Sequence, residues 1–295
     1  MISVCIPVYN TDVNLLVRTL YKQASAGSDP FEIILLDDDS TDIETKQENE
    51  KLAGIPNVRI FENEQNKGLS ATRNKLAELA RYPYLLFIDS DAEIVREDYW
   101  QTYISFCTSN SACFGGCVYS DSLPQTEFIL RWKFGKQREE GVGKYFSCFN
   151  FLIPKDIFCK YPFSEKLNSY GYEDSLFGIT LQHNNADIKF IDNPLLHTGL
   201  DISYTYLEKV ESSIRNLITI EPLLKEIKKE KRIRLLKLYY SIQYLSYPIA
   251  LLFRLLKKVL LLNLRGNNPS LKILDFYKLG YLCNLKTKKE LLNQC

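Results

Sequence analysis

Histidine is nearly absent from this chain, with only His183 and His197 among 295 residues, and the eight cysteines include no C-x-x-C pair. Cys113 and Cys117 stand four apart with no second Cys or His pair at finger spacing, which argues against structural zinc and for reduced, mostly buried thiols. Long apolar runs are lacking too. In the leucine-rich C-terminal part the uncharged stretch Leu238 to Phe253 has 16 residues and contains Pro248, short of the roughly 18–20 apolar residues a membrane-spanning helix needs. The opening "MISVCIPVYN" has no basic segment followed by an apolar one, so no signal peptide is legible and a cytosolic location is expected. Internal repeats and low-complexity tracts are also missing.

What is present is the composition of an ordinary globular protein, 45% hydrophobic and 25% charged, which excludes wholesale disorder. A formal net charge of +1 conceals a strong asymmetry. Residues 225–295 hold 16 Lys and Arg against 4 Asp and Glu, leaving 21 against 32 in residues 1–224. Two regions with different partners are implied.

The first half alternates strand and helix patterns: "ISVCIPVY", "DVNLLVRTLYKQA", "FEIILLDD", a polar helix near 41–53, "VRIFEN", "SATRNKLAELA" and "YLLFID". This order predicts βαβ units and an α/β domain with a mostly parallel sheet flanked by helices. In such sheets ligands bind beyond the carboxyl ends of the strands. Tyr9-Asn10, Asp37-Asp38-Asp39 and Asp89-Ser90-Asp91 all fall at those ends. Residues 95–200 read as mixed α/β, with "NFLIPKDIF" a strand and turn, "EDSLFGITLQHN" a helix, and the polar, glycine-punctuated "WKFGKQREEGVGKYF" a mobile lid.

The stretch "YLLFIDSDAEI" carries the most chemistry. Leu85 to Ile88 form the continuous apolar run of a strand buried on both faces, so Asp89 falls where the strand leaves the core. Asp89 and Asp91, two apart, share a side and repel each other unless a cation sits between them. A hard ion such as Mg2+ or Mn2+ suits one or two such oxygens together with phosphate oxygens. An isolated D-x-D is better described as a solvated acidic turn, and the rest of the chain has to shift that reading.

Residues 203–295 have a helical pattern, rich in Leu, Lys and Tyr. In "IALLFRLLKKVLLLNLR", Arg254, Lys257, Lys258 and Arg265 recur on one stripe opposite leucines. The pattern suits a basic amphipathic helix on a membrane surface, or a soluble helical subdomain with a solvated basic face. Nucleic acid is not expected as a partner, because no exposed stacking aromatics interleave with the basic stripe.

Taken in order, "SVCIPVYN" (3–10), "IILLDDDSTD" (33–42), "NKGLSATRN" (66–74), "LLFIDSDAEI" (85–94) and "GYEDSLFG" (171–178) resemble the family 2 glycosyltransferases. The resemblance implies a GT-A fold over residues 1–202, with a nucleotide-sugar-binding half of about 1–94, an acceptor half of about 95–202, and a helical region 203–295. It implies a metal-dependent, inverting enzyme that moves a sugar from a UDP- or GDP-linked donor to a saccharide hydroxyl.

By the same resemblance Pro7, Tyr9, Asp37, Asp38, Arg73, Asp89 and Ser90 are expected to contact the nucleotide. Asp91, Asp89 and His197 would hold Mn2+ or Mg2+, Asp174 would be the general base, and Glu173 would bind acceptor hydroxyls or tune it. A carboxylate at Asp37 accepts from a base N–H, a guanidinium at Arg73 pairs with phosphate or stacks, and a metal neutralises a departing diphosphate. Asp39 stands where the family often has glycine. Arg131-Trp132 resembles the signature of processive members, but it precedes "GYED" instead of following it, so a nonprocessive enzyme is expected, with both residues at the donor or acceptor rim. The basic helices point to a lipid-linked acceptor at the cytoplasmic face of the inner membrane, as in bacterial surface-polysaccharide assembly. Two alternatives remain: a noncatalytic sugar-nucleotide-binding or scaffold protein of the same fold, and a nucleotidyltransferase. The latter needs a glycine- and lysine-rich phosphate loop, which "PVYNTDVN" lacks.

Overall fold

The computed structural model describes all residues except 142, 144, 145, 168, 169 and 293–295, together with the side chains of 289–292. The chain forms two compact units. One comprises 1–120, 138–168 and 173–199, the other 121–137, 169–172 and 200–295. The helical unit thus takes in 121–137 and 169–172, which the sequence reading placed with the α/β part.

The α/β unit is built on strands β1 (Ile2–Val8), β2 (Phe31–Asp37), β3 (Val58–Glu62), β4 (Tyr84–Ile88), β5 (Ala92–Glu93), β6 (Ser111–Phe114), β7 (Cys117–Val118), β8 (Asn150–Pro154), β9 (Asp187–Phe190) and β10 (Leu195–His197). Seven of them form one sheet in the order β3-β2-β1-β4-β8-β6-β9. All run parallel except β8, which pairs antiparallel with both β4 and β6. Every residue of β1 and β2 is buried, as expected of strands covered on both faces.

Helices α1 (Asn14–Ser25), α2 (Ile43–Glu50), α3 (Leu69–Leu79), α4 (Tyr99–Ile104), α6 (Lys155–Lys160) and α7 (Glu173–His183) flank this sheet, α5 (Ile129–Phe134) belonging to the other unit. Their starts are chemically marked: the Asp42 carboxylate caps α2 by accepting from the Thr45 N–H at 3.2 Å, and Gly68 enters α3 at φ +83°, which a side chain would disfavour. One face of the sheet packs on a cluster of stacked rings that includes Phe87, Phe114, Phe151 and Phe163. A second, small sheet, β5-β10-β7, lies beyond the carboxyl end of β4. Trp100, on α4, is buried edge-on against Phe31 with ring centroids 5.7 Å apart.

The mostly parallel sheet with flanking helices is the fold the sequence implied. The lid expected at 132–146 is corrected in part: residues 129–139 are helical, α5 running into a π-helical turn at Gly135–Glu139, while 142, 144 and 145 lie outside the described residues. A run of Leu, Arg, Trp, Lys and Phe has good helix propensity, which the glycine punctuation masked. Arg131 is buried, its guanidinium 5.5 Å from the Tyr206 ring, so it is a packing residue of the helical unit.

The helical unit contains α5, α8 (Ser203–Glu226), α9 (Arg234–Ser241), α10 (Ser246–Leu264) and α11 (Leu271–Leu292). Trp132 lies on α5. Pro248 falls in the first turn of α10, where its missing N–H costs nothing. α10 and α11 pack closely: a Cβ at Gly280 would meet Phe253 Cβ at 2.7 Å. Phe253 in turn packs edge-on against Tyr277 with centroids 5.3 Å apart. No helix among the described residues is long and apolar enough to cross a membrane. Five of the seven described cysteines are buried; Cys295 lies outside the described residues.

Candidate active site

Strand register brings the acidic clusters to one edge. Val8 of β1 lies opposite Asp37 of β2, and Cys5 opposite Phe87 of β4. Pro7 is buried at the end of β1, and Tyr9, just beyond it, is half exposed. The Asp37 Oδ1 accepts from the Ser40 N–H at 2.6 Å. Asp39 sits at φ +64°, the left-handed region that favours glycine and that Asp tolerates better than most residues. This reconciles the aspartate with a position where glycine was expected.

Asp38, expected to contact the nucleotide, is engaged by its own chain. Its Oδ1 accepts from Asn63 Nδ2 at 2.7 Å and from the Lys67 N–H at 2.9 Å, and its Oδ2 accepts from the Gly68 N–H at 2.9 Å. Both oxygens accept from the loop that starts α3, so Asp38 braces that loop.

Arg73, expected beside a nucleotide, is 1% exposed and lies over the Phe163 ring at 5.1 Å. Its Nη2 donates to Asp89 Oδ1 at 2.7 Å and to the Cys148 carbonyl at 3.2 Å, and its Nη1 donates to Asp174 Oδ1 at 3.2 Å. Asp174, in the first turn of α7, also accepts from the Cys148 N–H at 2.9 Å through Oδ2. One buried guanidinium therefore joins the strand-end aspartate to the expected base. Burial, with the neighbouring Asp174 adding to it, raises the Asp89 pKa against the lowering effect of Arg73. Burial works against charge on Arg73, yet Asp89 and Asp174 beside it hold it protonated.

Asp91 faces elsewhere. Its Oδ2 is 3.7 Å from His197 Nδ1, and its carbonyl accepts from the Thr198 N–H at 2.9 Å and from the Thr198 hydroxyl at 2.8 Å. Pairing of β10 with β5 sets His197 opposite Ala92. The imidazole is stacked between Phe149, at 4.8 Å and 4°, and Tyr119, at 5.2 Å and 20°. Of the three expected metal ligands, Asp91 and His197 face each other and Asp89 faces Arg73. Among the described residues no group of three His, Cys, Asp or Glu side chains gathers as a complete cage. Two protein donors of this kind fit an ion that completes its shell with phosphate oxygens and water. Ser90 and Glu173 are partly buried, Ser90 between the two aspartates and Glu173 beside Asp174. His183 is exposed near the end of α7.

Several residues at the site carry no sequence signal. Gly199 passes so close to Asp91 that a Cβ there would lie 2.2 Å from its Oδ2. Asn150, wholly buried, accepts from the Tyr99 and Tyr103 hydroxyls at 2.8 and 2.7 Å and donates to the Asn193 carbonyl at 2.7 Å, which braces the start of β8. Asn74 and Phe163 exchange hydrogen bonds of 3.0 Å, fixing the ring beneath Arg73. Phe149, Tyr119 and Cys148 reach the site through β7 and β8 pairings that only the fold reveals.

The family model described as glycosyl transferase family 2 matches residues 3–164. A putative glycosyltransferase of Bacillus subtilis, EpsH, is 35% identical over 216 residues, 68% of this chain and 61% of that protein. A putative teichuronic acid biosynthesis glycosyltransferase of the same organism, TuaG, is 29% identical over 135 residues, 44% of this chain and 52% of that protein. The chain thus spans roughly half to three-fifths of these relatives' length. In fold it is similar to a mannosyltransferase from Pyrobaculum calidifontis in complex with GDP-Man and Mn2+, with a TM-score of 0.59 at 14% identity, covering 97% of this chain and 86% of that one.

Proposed function

Because the chain belongs to glycosyl transferase family 2 and is a transferase enzyme, we propose that it transfers one sugar, with inversion, from a UDP- or GDP-linked donor to a saccharide hydroxyl in polysaccharide biosynthesis. The observation that carries this reading is the pair of carboxylates joined by Arg73. Asp89 stands at the strand end where the donor's ribose and diphosphate would lie, and Asp174 is held at a fixed offset from it.

In this scheme Pro7, Tyr9 and Asp37 line the nucleoside end, and Ser90 the ribose side. Asp174 removes the proton of the acceptor hydroxyl as that oxygen attacks the anomeric carbon from the face opposite the diphosphate. The new C–O bond forms as the bond to the diphosphate breaks, and the nucleoside diphosphate leaves with the electron pair. Mn2+ or Mg2+ held by Asp91 and His197 would neutralise charge on the departing diphosphate; the neighbouring fold solved with Mn2+ supports a divalent ion. Arg73 keeps Asp174 oriented and its charge balanced, and Glu173 offers a partner for acceptor hydroxyls. Teichuronic acid synthesis, named for one relative, and the basic C-terminal residues support a lipid-linked saccharide acceptor at the cytoplasmic face of a membrane.

Melting the protein with UDP or GDP, each with Mn2+ or EDTA, tests the donor site. A ligand at a hundredfold excess over its Kd stabilises the native state by about 2.7 kcal/mol. The matching nucleotide is expected to raise Tm with Mn2+ in wild type and not in Asp91→Ala. Asp174→Asn is expected to keep that shift while turnover falls by about 10^2–10^4. Absence of any shift would favour the noncatalytic scaffold reading.

A further inference from the structure

We infer that the outer face of α10 is the surface by which this protein seats itself on an anionic lipid bilayer. The inference rests on the proposed membrane location and names the element and face responsible.

The sequence places Arg254, Lys257, Lys258 and Arg265 on one stripe opposite leucines and leaves open whether those leucines face a bilayer or the protein. α10 buries Ala250, Phe253, Leu260 and Leu264, and Lys257 turns inward to Glu211 at 2.9 Å. Leu251, Leu252, Leu255, Leu256, Val259 and Leu262 are instead exposed, Leu255 by 72% and Leu262 by 75%. At about 100° per residue, these six cover one continuous arc of the helix, and Arg254, Lys258 and Arg265 line a single edge of it. All three basic residues are exposed. Tyr244 and Tyr247, 77% and 62% exposed, stand at the amino-terminal end of the band, and such rings favour the boundary between apolar and wet surroundings.

A soluble helix buries its apolar face, and scattered single leucines outside need no explanation. A contiguous band of six is different. The occupant is selected by charge. A second copy would bring like-charged edges close together, whereas anionic headgroups complement Arg254, Lys258 and Arg265, each worth about a fivefold gain in binding. The helix cannot span a bilayer, so it would lie in the interface plane with the leucines among the acyl chains.

The test is flotation of the full-length protein with vesicles of phosphatidylcholine alone or mixed with phosphatidylglycerol. Wild type is expected to float with the anionic vesicles and to be released in part by salt. Leu255→Asp with Leu262→Asp should weaken partitioning by about a hundredfold or more, with Leu255→Ala and Leu262→Ala intermediate. Arg254→Glu with Lys258→Glu should abolish the preference for phosphatidylglycerol. Unchanged far-UV circular dichroism and an unchanged Mn2+-dependent nucleotide shift in Tm establish that each variant is folded.

If wild type floats and the double aspartate variant floats equally, another surface makes the contact and this inference falls while the membrane location stands. If wild type fails to float with either vesicle, both fall. If gel filtration shows a wild-type dimer that the aspartates dissociate, the face is an interface between copies, and this inference is overturned. The enzymatic reading survives each of these outcomes.

Discussion

In the α/β unit one buried guanidinium, Arg73, serves two carboxylates, Asp89 and Asp174. In the helical unit the proportion is reversed: one buried carboxylate, Glu221, receives Lys286 at 2.5 and 2.7 Å, Lys225 at 3.2 Å and the Tyr240 hydroxyl. Glu211 is treated likewise, by Lys257 at 2.9 Å and the Tyr277 hydroxyl at 2.5 Å. Burial works against the charge on Glu221, but its donors outweigh that and lower its pKa, while burial wins at Asp89 and raises its pKa. The helical unit satisfies Glu211 and Glu221 with cations and hydroxyls of its own. The α/β unit keeps negative charge in excess of its partner, as a site must if it is to draw in a cation and a proton.

Removing the shared cation should break this contrast hardest. Arg73→Met leaves two carboxylates without their counter-charge and is expected to cost about 3–5 kcal/mol in urea unfolding, with part recovered by adding Asp89→Asn. In the helical unit Lys286→Met leaves Glu221 with two other donors, so the expected loss is smaller, about 1–3 kcal/mol. A Lys286→Met loss as large as that of Arg73→Met would show that the two networks do not differ as described. Gly199→Ala sharpens the comparison from the functional side. Its methyl group must displace the Asp91 carboxylate, so the Mn2+-dependent Tm shift should shrink while the unliganded Tm stays near wild type.

The smallest effect concerns pH. A carboxylate with a lowered folded pKa stabilises fully above its unfolded pKa, and that contribution is lost as pH falls through the folded value. Glu221→Gln should therefore flatten the loss of urea midpoint below the usual carboxylate range. Asp89 has the opposite sign, its cost being relieved on acidification, and Asp89→Asn should steepen the acid loss.

The parallel core was legible because its strands are short continuous apolar runs ended by acids, and β1 to β4 fall where "ISVCIPVY", "FEIILLDD", "VRIFEN" and "YLLFID" stand. The reversed β8 and the small β5-β10-β7 sheet were not, since pairing partners far apart in sequence leave no local period. Asp89, Asp91, Asp174 and His197 were legible as an ordered set of polar residues at element ends. The direction each side chain faces was not. Arg73 shows why: it stands three and four residues before Leu76 and Ala77, on the buried face of α3, but only the packing of Phe163 and the Cys148 carbonyl makes it a bridge between carboxylates. For the α10 leucines the sequence left two readings open, because periodicity identifies two faces without saying which one is covered.

The two tryptophans are divided evenly, Trp100 on α4 in the α/β unit and Trp132 on α5 in the helical unit. Each unit thus carries its own fluorophore. Trp132→Phe leaves emission from the α/β unit alone, and Trp100→Phe leaves that from the helical unit, so two unfolding curves can be recorded from one polypeptide. Coincident curves would mean the units melt as one cooperative block; separated curves would rank them and show which one a nucleotide or a vesicle protects.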